Sequence, residues 1–357
     1  MMSLYIHIPF CKSKCKYCTF YSKSAAHSEY VSALLRCIEY YGKIYKKPLE
    51  TLYIGGGTPS ILSILEFEKI LGKIHSQFDT KNIAEATVEC NPESVSLELF
   101  ETLKALGINR ISMGVQSFDD GELSAIGRLH TAKQALDAIE LAKSCGFENI
   151  SCDLIFGLPY QTEKSFEKSL ETLVNTGVSH ISCYNLQLEE GSALFKEKIP
   201  VPDEIYQEKM YYLACSYLKD RGYEHYEVSN FAKSGKKAVH NGRYWDGSDY
   251  IGLGPSAHSK IGDIRAFFDA DTYKFIQKTD FDFDGKERID DPLFEKIMLT
   301  LRTNRGLEKS LLPKSSAYIQ KLCESGFAKD FGDTFALTDR GFYLSNTIIS
   351  DITAKEC

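Results

Sequence analysis

The chain has 357 residues, of which 43% are hydrophobic and 25% are charged, an ordinary balance for a globular protein. Asp and Glu outnumber Lys and Arg by 49 to 42, and the net charge of −7 argues against non-specific nucleic-acid binding, which needs a basic surface. No apolar run approaches the roughly 20 residues that cross a bilayer, and residues 1–9 lack the features of a signal peptide, so we expect a cytoplasmic protein with reduced thiols.

A short strand followed by an amphipathic helix recurs through about the first 200 residues. The predicted strands are 4–8, 51–54, 86–89, 110–115, 150–155 and 180–186. The predicted helices between them are 29–45, 62–77, 97–106, 132–144 and 163–176. This alternation predicts an α/β fold with parallel strands joined by right-handed crossovers. It does not distinguish an open, doubly wound sheet from a partial barrel. In both folds ligands bind at the carboxyl ends of the strands.

The alternation is lost after about residue 200. A helix at 204–219 and a strand at 223–228 precede an aromatic- and glycine-rich segment at 239–260 and an acidic loop at 281–291. A strand at 334–338 and a helix after Gly341 follow near the end of the chain. We predict three segments, which are a core over 1–200, a connecting region over 201–284, and a small, mainly helical, winged-helix-like domain over 285–357.

Three of the eleven cysteines are crowded into one loop just after the first predicted strand. Cys11, Cys15 and Cys18 form a C-x3-C-x2-C run, and thiolates at this spacing can hold three corners of an iron–sulfur cube while the fourth iron stays open. A zinc site would need a second Cys/His pair farther along the chain, and a redox dithiol needs only two cysteines. The triplet therefore favours a cluster, and we expect the eight scattered cysteines to be inert, mostly buried thiols.

The spacing, with an aromatic residue before the third cysteine, resembles the motif of the radical S-adenosylmethionine (SAM) superfamily. The resemblance implies that Cys11, Cys15 and Cys18 hold a [4Fe–4S] cluster whose open iron is chelated by the amino and carboxylate groups of SAM. One electron from such a cluster cleaves a carbon–sulfur bond of SAM and produces a 5′-deoxyadenosyl radical. The family fold is a partial (β/α)6 barrel. Tyr5 and Tyr17 resemble aromatic positions that line the SAM site, although each could equally be a core aromatic residue.

A glycine-rich segment, Gly55-Gly56-Gly57-Thr58-Pro59, follows the second predicted strand. Glycines let the backbone approach a ligand closely. A phosphate-binding loop is the rival interpretation, but the Gly-Lys-Ser/Thr ending is absent. Gly56, Gly57 and Thr58 instead resemble the family loop that contacts the amino group of SAM.

Polar side chains lie at or near the ends of the next three predicted strands. Glu89 ends the third strand, where a carboxylate can accept hydrogen bonds from ribose hydroxyls. Gln116 ends the fourth strand, Asp153 lies near the end of the fifth, and Arg128 could clamp the SAM carboxylate with two donors. An acid at a strand end is by itself typical of a helix cap or a turn. As a set that follows the cysteine motif, these residues predict a SAM site.

Four strings, LYIHIPFC, GGGTP, GVQSF and DLIFGLP, are similar to the group that contains oxygen-independent coproporphyrinogen III oxidase, HemN. The oxidase carries a further cysteine two residues after the third, where this chain has Phe20. It also has a long N-terminal extension, whereas ten residues precede Cys11 here. Both departures match the heme-chaperone subgroup HemW, which lacks oxidase activity, so we do not expect coproporphyrinogen oxidase activity.

The HNGRYW segment that begins at His240 resembles a motif associated with heme binding in that subgroup. Imidazole is a common axial ligand of heme iron, and Tyr244 and Trp245 could pack on a porphyrin face. An aromatic cluster with one histidine is equally typical of a segment packed onto a barrel. His258 is a second candidate ligand, and His7 is expected to belong to the first strand.

These resemblances imply a heme chaperone that binds heme and a SAM-ligated [4Fe–4S] cluster and transfers heme to acceptor hemoproteins. They also imply a homodimer. The net charge and the lack of a long apolar run, in turn, predict no nucleic-acid partner and no transmembrane segment. The alternatives are oxidative decarboxylation of coproporphyrinogen III in porphyrin biosynthesis, or a radical SAM reaction on an unrelated substrate.

Overall fold

The computed structural model describes residues 1–23 and 28–357. The strands are β1 (Met2–Ile8), β2 (Leu49–Gly56), β3 (Glu85–Cys90), β4 (Arg110–Gln116), β5 (Asn149–Phe156), β6 (His180–Asn185), β7 (Glu224–Glu227), β8 (Asn230–Ala232), β9 (Tyr250–Leu253), β10 (His258–Ile261), β11 (Ile264–Phe267), β12 (Gly285–Arg288), β13 (Leu307–Glu308), β14 (Ala328–Asp330) and β15 (Thr334–Leu337). The α-helices are α1 (Ser28–Ile44), α2 (Ile64–Gln77), α3 (Leu97–Ala105), α4 (Asp120–Ala125), α5 (Ala132–Ser144), α6 (Glu163–Asn175), α7 (Ala193–Glu197), α8 (Glu204–Lys219), α9 (Val239–Trp245), α10 (Thr272–Gln277), α11 (Pro292–Thr300), α12 (Ser316–Glu324), α13 (Asp339–Tyr343) and α14 (Ser345–Glu356).

The six predicted strands form the centre of a twelve-stranded sheet and pair in chain order, from β1 to β6, all parallel. A doubly wound sheet would reverse its strand order at a switch point, and this order does not reverse. Because right-handed crossovers between successive neighbours place every helix on the same face, the sheet curls as a partial barrel does. The predicted α/β fold is confirmed.

The segment after residue 200 extends this sheet at both ends. Strand β9 pairs in parallel with the free edge of β1, and β10, β11 and β12 continue from it in antiparallel order. At the other end, β8 and β7 pair with β6 in antiparallel order. The carboxyl ends of β1 to β6 therefore lie inside a longer sheet, where extra strands can contribute side chains to the same cavity.

The acidic segment at 281–291 was predicted to be a loop, and this prediction is wrong, because the segment contains β12. This edge strand has three exposed charged residues in a row, so it lacks the apolar alternation by which strands are predicted. It is specified by a distant contact. Gly285 lies opposite Phe267 of β11, and a Cβ atom at that glycine would lie 2.2 Å from the phenylalanine ring.

The last part of the chain combines helices α11 to α14 with a small antiparallel sheet in the order β13-β15-β14. The helix predicted after Gly341 is α14, and a shorter helix, α13, precedes it. Thr338 caps α13 and accepts a hydrogen bond from the Gly341 N–H at 3.3 Å. Strand β12, at Gly285–Arg288, still belongs to the large sheet. The domain boundary at residue 285 and the winged-helix-like fold of the last segment stay predictions. Within the described ranges, no helix is both long and apolar enough to cross a membrane.

Local signals explain why the predicted helices form where they do. Helix α5 begins at a capping box: the Thr131 hydroxyl accepts from the Gln134 N–H, and the Gln134 side-chain oxygen accepts from the Thr131 N–H. The apolar face of α5, formed by Ala135, Ala138, Ile139 and Ala142, is at most 4% exposed. Gly146, which follows this helix, has a φ of +80°, the left-handed conformation that ends a helix and that glycine adopts readily.

Candidate functional site

The cysteine loop lies directly after β1 and is tied to its neighbours through the backbone. The Lys23 N–H donates to the Pro9 carbonyl at 2.7 Å, and the Lys16 N–H donates to the Ile126 carbonyl at 2.9 Å. Cys11, Cys15 and Cys18 are all half-buried, and they line one cavity of about 390 Å³ at the carboxyl ends of the parallel strands. The structure thus brings the three predicted cluster ligands together.

Two of the three sulfur atoms receive hydrogen bonds from residues outside the cysteine loop. The Thr58 hydroxyl donates to the Sγ atom of Cys11 at 3.4 Å, and Nη1 of Arg128 donates to the Sγ atom of Cys15 at 3.4 Å. Burial raises the pKa of the Cys18 thiol. The hydrogen bonds from Thr58 and Arg128 stabilise the thiolate forms of Cys11 and Cys15, and the thiolate is the form that binds metal.

The Arg128 guanidinium is fixed on the side away from the sulfur. Its Nη2 atom donates to the Asn91 Oδ1 atom at 2.9 Å and to the Gly114 carbonyl at 2.6 Å. Its Nε atom is buried and has no hydrogen-bond partner among the residues that the structure describes. A buried donor without a partner is unfavourable, so this atom fits a ligand that brings an acceptor, such as a carboxylate. The donor set therefore fits a cluster with SAM bound beside it.

Asn91 was not predicted, although it directly follows β3. Its Nδ2 atom donates to the Thr58 hydroxyl and to Oε1 of Glu93, both at 3.2 Å, while its oxygen accepts from Arg128. Glu93 in turn faces Nδ1 of His130 at 3.3 Å. Asn91 therefore connects the two residues that contact the cysteine sulfurs, and the Asn-Pro pair at a strand end was the signal that could have identified it.

Glu89 lies at the end of β3 with its carboxylate directed to the second strand. Its Oε1 atom accepts from the Tyr53 hydroxyl at 2.7 Å, and its Oε2 atom accepts from the Gly56 N–H at 3.0 Å. Burial raises the pKa of Glu89 to about 7, more than these two hydrogen bonds lower it. A carboxylate that is costly to ionise when buried gains most from further donors such as ribose hydroxyls.

The glycine-rich segment allows two backbones to approach each other. Gly56 has a φ of +114°, and a Cβ atom there would lie 2.7 Å from the His7 ring. A Cβ atom at Gly57 would lie 2.5 Å from the Phe10 carbonyl oxygen. Side chains are excluded at both positions, and the adjoining Thr58 can therefore reach the cysteine loop.

Three other predicted residues also line the cluster cavity, namely Tyr17, Gln116 and Asp153. Gln116 is a non-glycine residue with a φ of +70°, a strained conformation that is often found at functional sites. Burial raises the pKa of Asp153 to about 6. The Tyr17 ring packs beside a small apolar group that includes Ile126 and Leu186.

Tyr5 does not line the cluster cavity, but it lines two neighbouring cavities together with Glu89, and Gly56 lines one of them. Its hydroxyl is hydrogen-bonded to Nδ1 of His7 at 3.0 Å, and its ring stacks on Tyr53 with centroids 6.1 Å apart. These contacts direct Tyr5 into the walls of two neighbouring cavities. His7 belongs to β1, as predicted.

His240 is fully buried and is the second residue of the short helix α9. Its Nδ1 atom is 2.8 Å from the Thr51 hydroxyl and its Nε2 atom is 2.8 Å from the Tyr244 hydroxyl. Glu85 accepts hydrogen bonds from the backbone N–H groups of Val239 and His240 at 2.9 and 3.0 Å. Burial lowers the pKa of His240 to about 3, so the ring is neutral. Both ring nitrogens are occupied, which favours the packing interpretation of the HNGRYW segment over direct heme ligation by this histidine.

A second cavity, of about 520 Å³, opens beside the cluster cavity and shares Phe20, Gly56 and Glu89 with it. The side chain of Phe20, which stands where the oxidase has a cysteine, is 71% exposed. The second cavity is also lined by Tyr244 and by His258, whose residue is exposed. It therefore combines aromatic surface with an accessible imidazole.

Comparison with known proteins gives consistent results. A family model described as the radical SAM superfamily matches residues 5–173. The chain is 33% identical over 371 residues to heme chaperone HemW of Bacillus subtilis (strain 168), with 98% of each chain covered. It is also 33% identical over 370 residues to heme chaperone HemW of Lactococcus lactis subsp. lactis (strain IL1403), with 97% of this chain and 96% of the relative covered. Among solved structures, coproporphyrinogen III oxidase (HemN) from Escherichia coli has the same fold, with a TM-score of 0.86 and 22% identity over 98% of this chain and 89% of that chain.

Proposed function

Because this chain belongs to the HemW group of the radical SAM superfamily, we propose that it is a heme chaperone that transfers heme to acceptor hemoproteins. The observation that carries the proposal is the 33% identity over 98% of the chain to a heme chaperone, since the likeness extends far beyond the cysteine motif. Membership of the superfamily implies a [4Fe–4S] cluster and SAM as cofactors. The heme is the cargo of the proposed activity.

In this proposal Cys11, Cys15 and Cys18 hold the cluster, and SAM lies in the cluster cavity. Bound together, the cluster and SAM supply one-electron chemistry. Arg128 directs its unpartnered Nε atom to the SAM carboxylate. Gly56, Gly57 and Thr58 contact the amino group, and Glu89 accepts from the ribose. Gln116 and Asp153 complete the wall of the cavity.

We place the heme in the second cavity, beside the cluster cavity. His258 is the exposed imidazole of that cavity, whereas His240 would have to give up two hydrogen bonds of 2.8 Å and leave a fully buried position. Tyr244 lines the second cavity, so the HNGRYW segment would contact the porphyrin through this ring while His240 positions it. The walls shared by the two cavities would let the state of the cluster influence heme attachment.

The alternative function is oxidative decarboxylation of coproporphyrinogen III, and one observation bears on it. The oxidase has a cysteine where Phe20 stands here, and Phe20 lines both cavities with an exposed apolar ring. An apolar ring cannot replace a thiol in proton or electron transfer, but it can pack against a porphyrin. The position thus favours heme contact over catalysis.

A heme titration tests the proposal. The cluster is reconstituted anaerobically, hemin is titrated by absorbance, and coproporphyrinogen decarboxylation and 5′-deoxyadenosine are assayed in parallel. We expect saturable binding of about one heme per chain without decarboxylation. His258→Ala should abolish the heme spectrum, and His75→Ala, which removes an exposed histidine of α2, should not. Decarboxylation with SAM consumption would instead identify an oxidase, and unchanged heme binding in His258→Ala would reject the placement.

The proposed partner is an acceptor hemoprotein, and a homodimer belongs to the same proposal. Binding of nucleic acid is not part of it, because the net charge is −7. Heme-loaded protein mixed with an apo-hemoprotein tests the transfer step. We expect the absorbance of the acceptor's heme to appear while that of the donor declines, and no transfer from fully loaded protein would contradict a chaperone role.

A further inference from the structure

A second group of metal-ligand side chains lies on elements that contribute nothing to the cluster cavity. Cys215 is on α8, His225 is on β7, and Asp339 is the first residue of α13. One ligand atom from each lies within 4.8 Å of the other two. The His225 Nδ1 atom is 2.8 Å from Asp339 Oδ1 and 3.8 Å from the Cys215 sulfur. Residues separated by up to 124 positions in the chain thus converge at one point.

The imidazole is held so that Nδ1 faces the other two ligands. Its ring stacks on Phe231 with centroids 4.1 Å apart and an angle of 14° between the planes, and Phe342 contacts it edge-on at 5.0 Å. Cys215 is 4% exposed, whereas the Asp339 side chain is 40% exposed. The group is therefore enclosed on the side of the thiol and open to water on the side of the carboxylate.

We propose that Cys215, His225 and Asp339 form a zinc site. Zinc binds thiolate, imidazole and carboxylate at about 2.0–2.3 Å in a tetrahedron, so its ligand atoms lie roughly 3–4 Å apart. The observed separations of 2.8 and 3.8 Å are close to this range before any metal has adjusted them. Water supplies the fourth ligand from the open side, next to the exposed Asp339.

The alternative is that the same atoms only pack. In that case His225 and Asp339 form a hydrogen-bonded pair, and Cys215 is a buried thiol against the ring. A mixed set of sulfur, nitrogen and oxygen ligands favours zinc over calcium or magnesium, which prefer oxygen ligands alone. Only the metal site requires all three ligands at once, and this is the basis of the test.

Zinc at this position would join the end of the chain to the outside of the barrel. Helix α8 packs against α6, and α13 follows the small antiparallel sheet. The Tyr211 hydroxyl already donates to the Asp339 carbonyl at 2.8 Å, which fixes the start of α13 on α8. A metal that binds only the folded chain stabilises it by mass action. The proposed site shares no residue with the cluster cavity, so the proposal does not depend on the heme function.

The test uses the protein with its cluster loaded, so that Cys11, Cys15 and Cys18 are occupied by iron. Zinc sulfate is added anaerobically, unbound metal is removed by gel filtration, and zinc, iron and sulfide are measured per chain. We expect about one zinc per chain in the wild type with unchanged iron. Cys323→Ser, which removes a half-buried thiol of α12, is the matched control and should retain zinc.

Cys215→Ser should lower zinc affinity by more than about tenfold, because a hydroxyl is a much weaker zinc ligand than a thiolate. Asp339→Asn changes a partly exposed side chain and tests the site again if Cys215→Ser fails to fold. Zinc should also raise the thermal unfolding temperature of the wild type and of Cys323→Ser, but not that of Asp339→Asn. A wild type that retains no zinc, or equal zinc in Cys215→Ser or in Asp339→Asn, would overturn the proposal.

Discussion

Replacing Glu89 by glutamine separates the contribution of its charge to SAM binding from its effect on stability. The wild-type carboxylate is buried and accepts from Tyr53 and Gly56. A glutamine amide can keep both contacts, because its oxygen accepts from the Gly56 N–H and its NH2 group donates to the Tyr53 hydroxyl. The substitution therefore removes a charge with little change in shape.

The size of the stability effect follows from the pKa. Burial raises the pKa of Glu89 from 4.5 to about 7, which corresponds to roughly 3 kcal/mol against the ionised form. Between these two pKa values the folded protein binds more protons than the unfolded chain, so the stability of the wild type falls as pH rises through this range and then levels off. The glutamine variant carries no such penalty. We expect it to match the wild type near pH 5 and to exceed its free energy of unfolding by up to roughly 3 kcal/mol near pH 8.

Binding of SAM should change in the opposite direction. Hydrogen bonds to a charged group contribute about 1.5–3 kcal/mol, so loss of the ribose contact should weaken SAM binding roughly tenfold to a hundredfold at pH 8. In the wild type the SAM affinity should fall as the pH drops below about 7, since binding then has to ionise the carboxylate. In Glu89→Gln the affinity should be independent of pH over the same range.

Thermal unfolding of cluster-loaded protein and equilibrium dialysis of SAM, each at about pH 5, 6.5 and 8, measure the two effects. Glu101→Gln, an exposed glutamate of α3, is the control and should behave as the wild type. A difference in unfolding temperature between Glu89→Gln and the wild type that is the same at every pH would refute the buried-charge argument. An unchanged SAM affinity would refute the ribose contact.

Three further substitutions test other parts of the site. Cys15→Ala should abolish the broad visible absorbance of the cluster and its iron and sulfide, because a cube held at two corners is lost, whereas Cys145→Ala should keep both. Arg128→Lys should retain the cluster but weaken SAM binding about tenfold, measured by dialysis, since a lysine side chain has no donor at the position of Nε; full affinity would contradict the contact. Gly57→Ala should destabilise the protein by about 1–3 kcal/mol, seen as a lower unfolding temperature, because its Cβ atom would lie 2.5 Å from the Phe10 carbonyl oxygen. A variant with wild-type stability would show that the loop can relax.

The sequence was sufficient for the core strands and for most of the residues that line the cluster cavity. The fourth strand was predicted at 110–115 and ends at Gln116, and α5 has the predicted bounds. Strand and helix periods and glycine stops are local properties, so they can be identified without knowing the fold. The three cysteines and most of the strand-end residues could be predicted for the same reason, because each lies next to a recognisable strand.

The tertiary structure decided what depends on contacts between distant segments. The order of the strands, and the pairing of β9 with β1, distinguish a partial barrel from a doubly wound sheet. The same contacts place Tyr5 outside the cluster cavity and bury His240 against Thr51, while they leave His258 exposed. A motif identifies the chemical groups that a chain carries. Whether a ring nitrogen is free or hydrogen-bonded depends on which residues the fold brings next to it. The hydrogen-bond partner of His240, Thr51, lies 189 positions earlier in the chain.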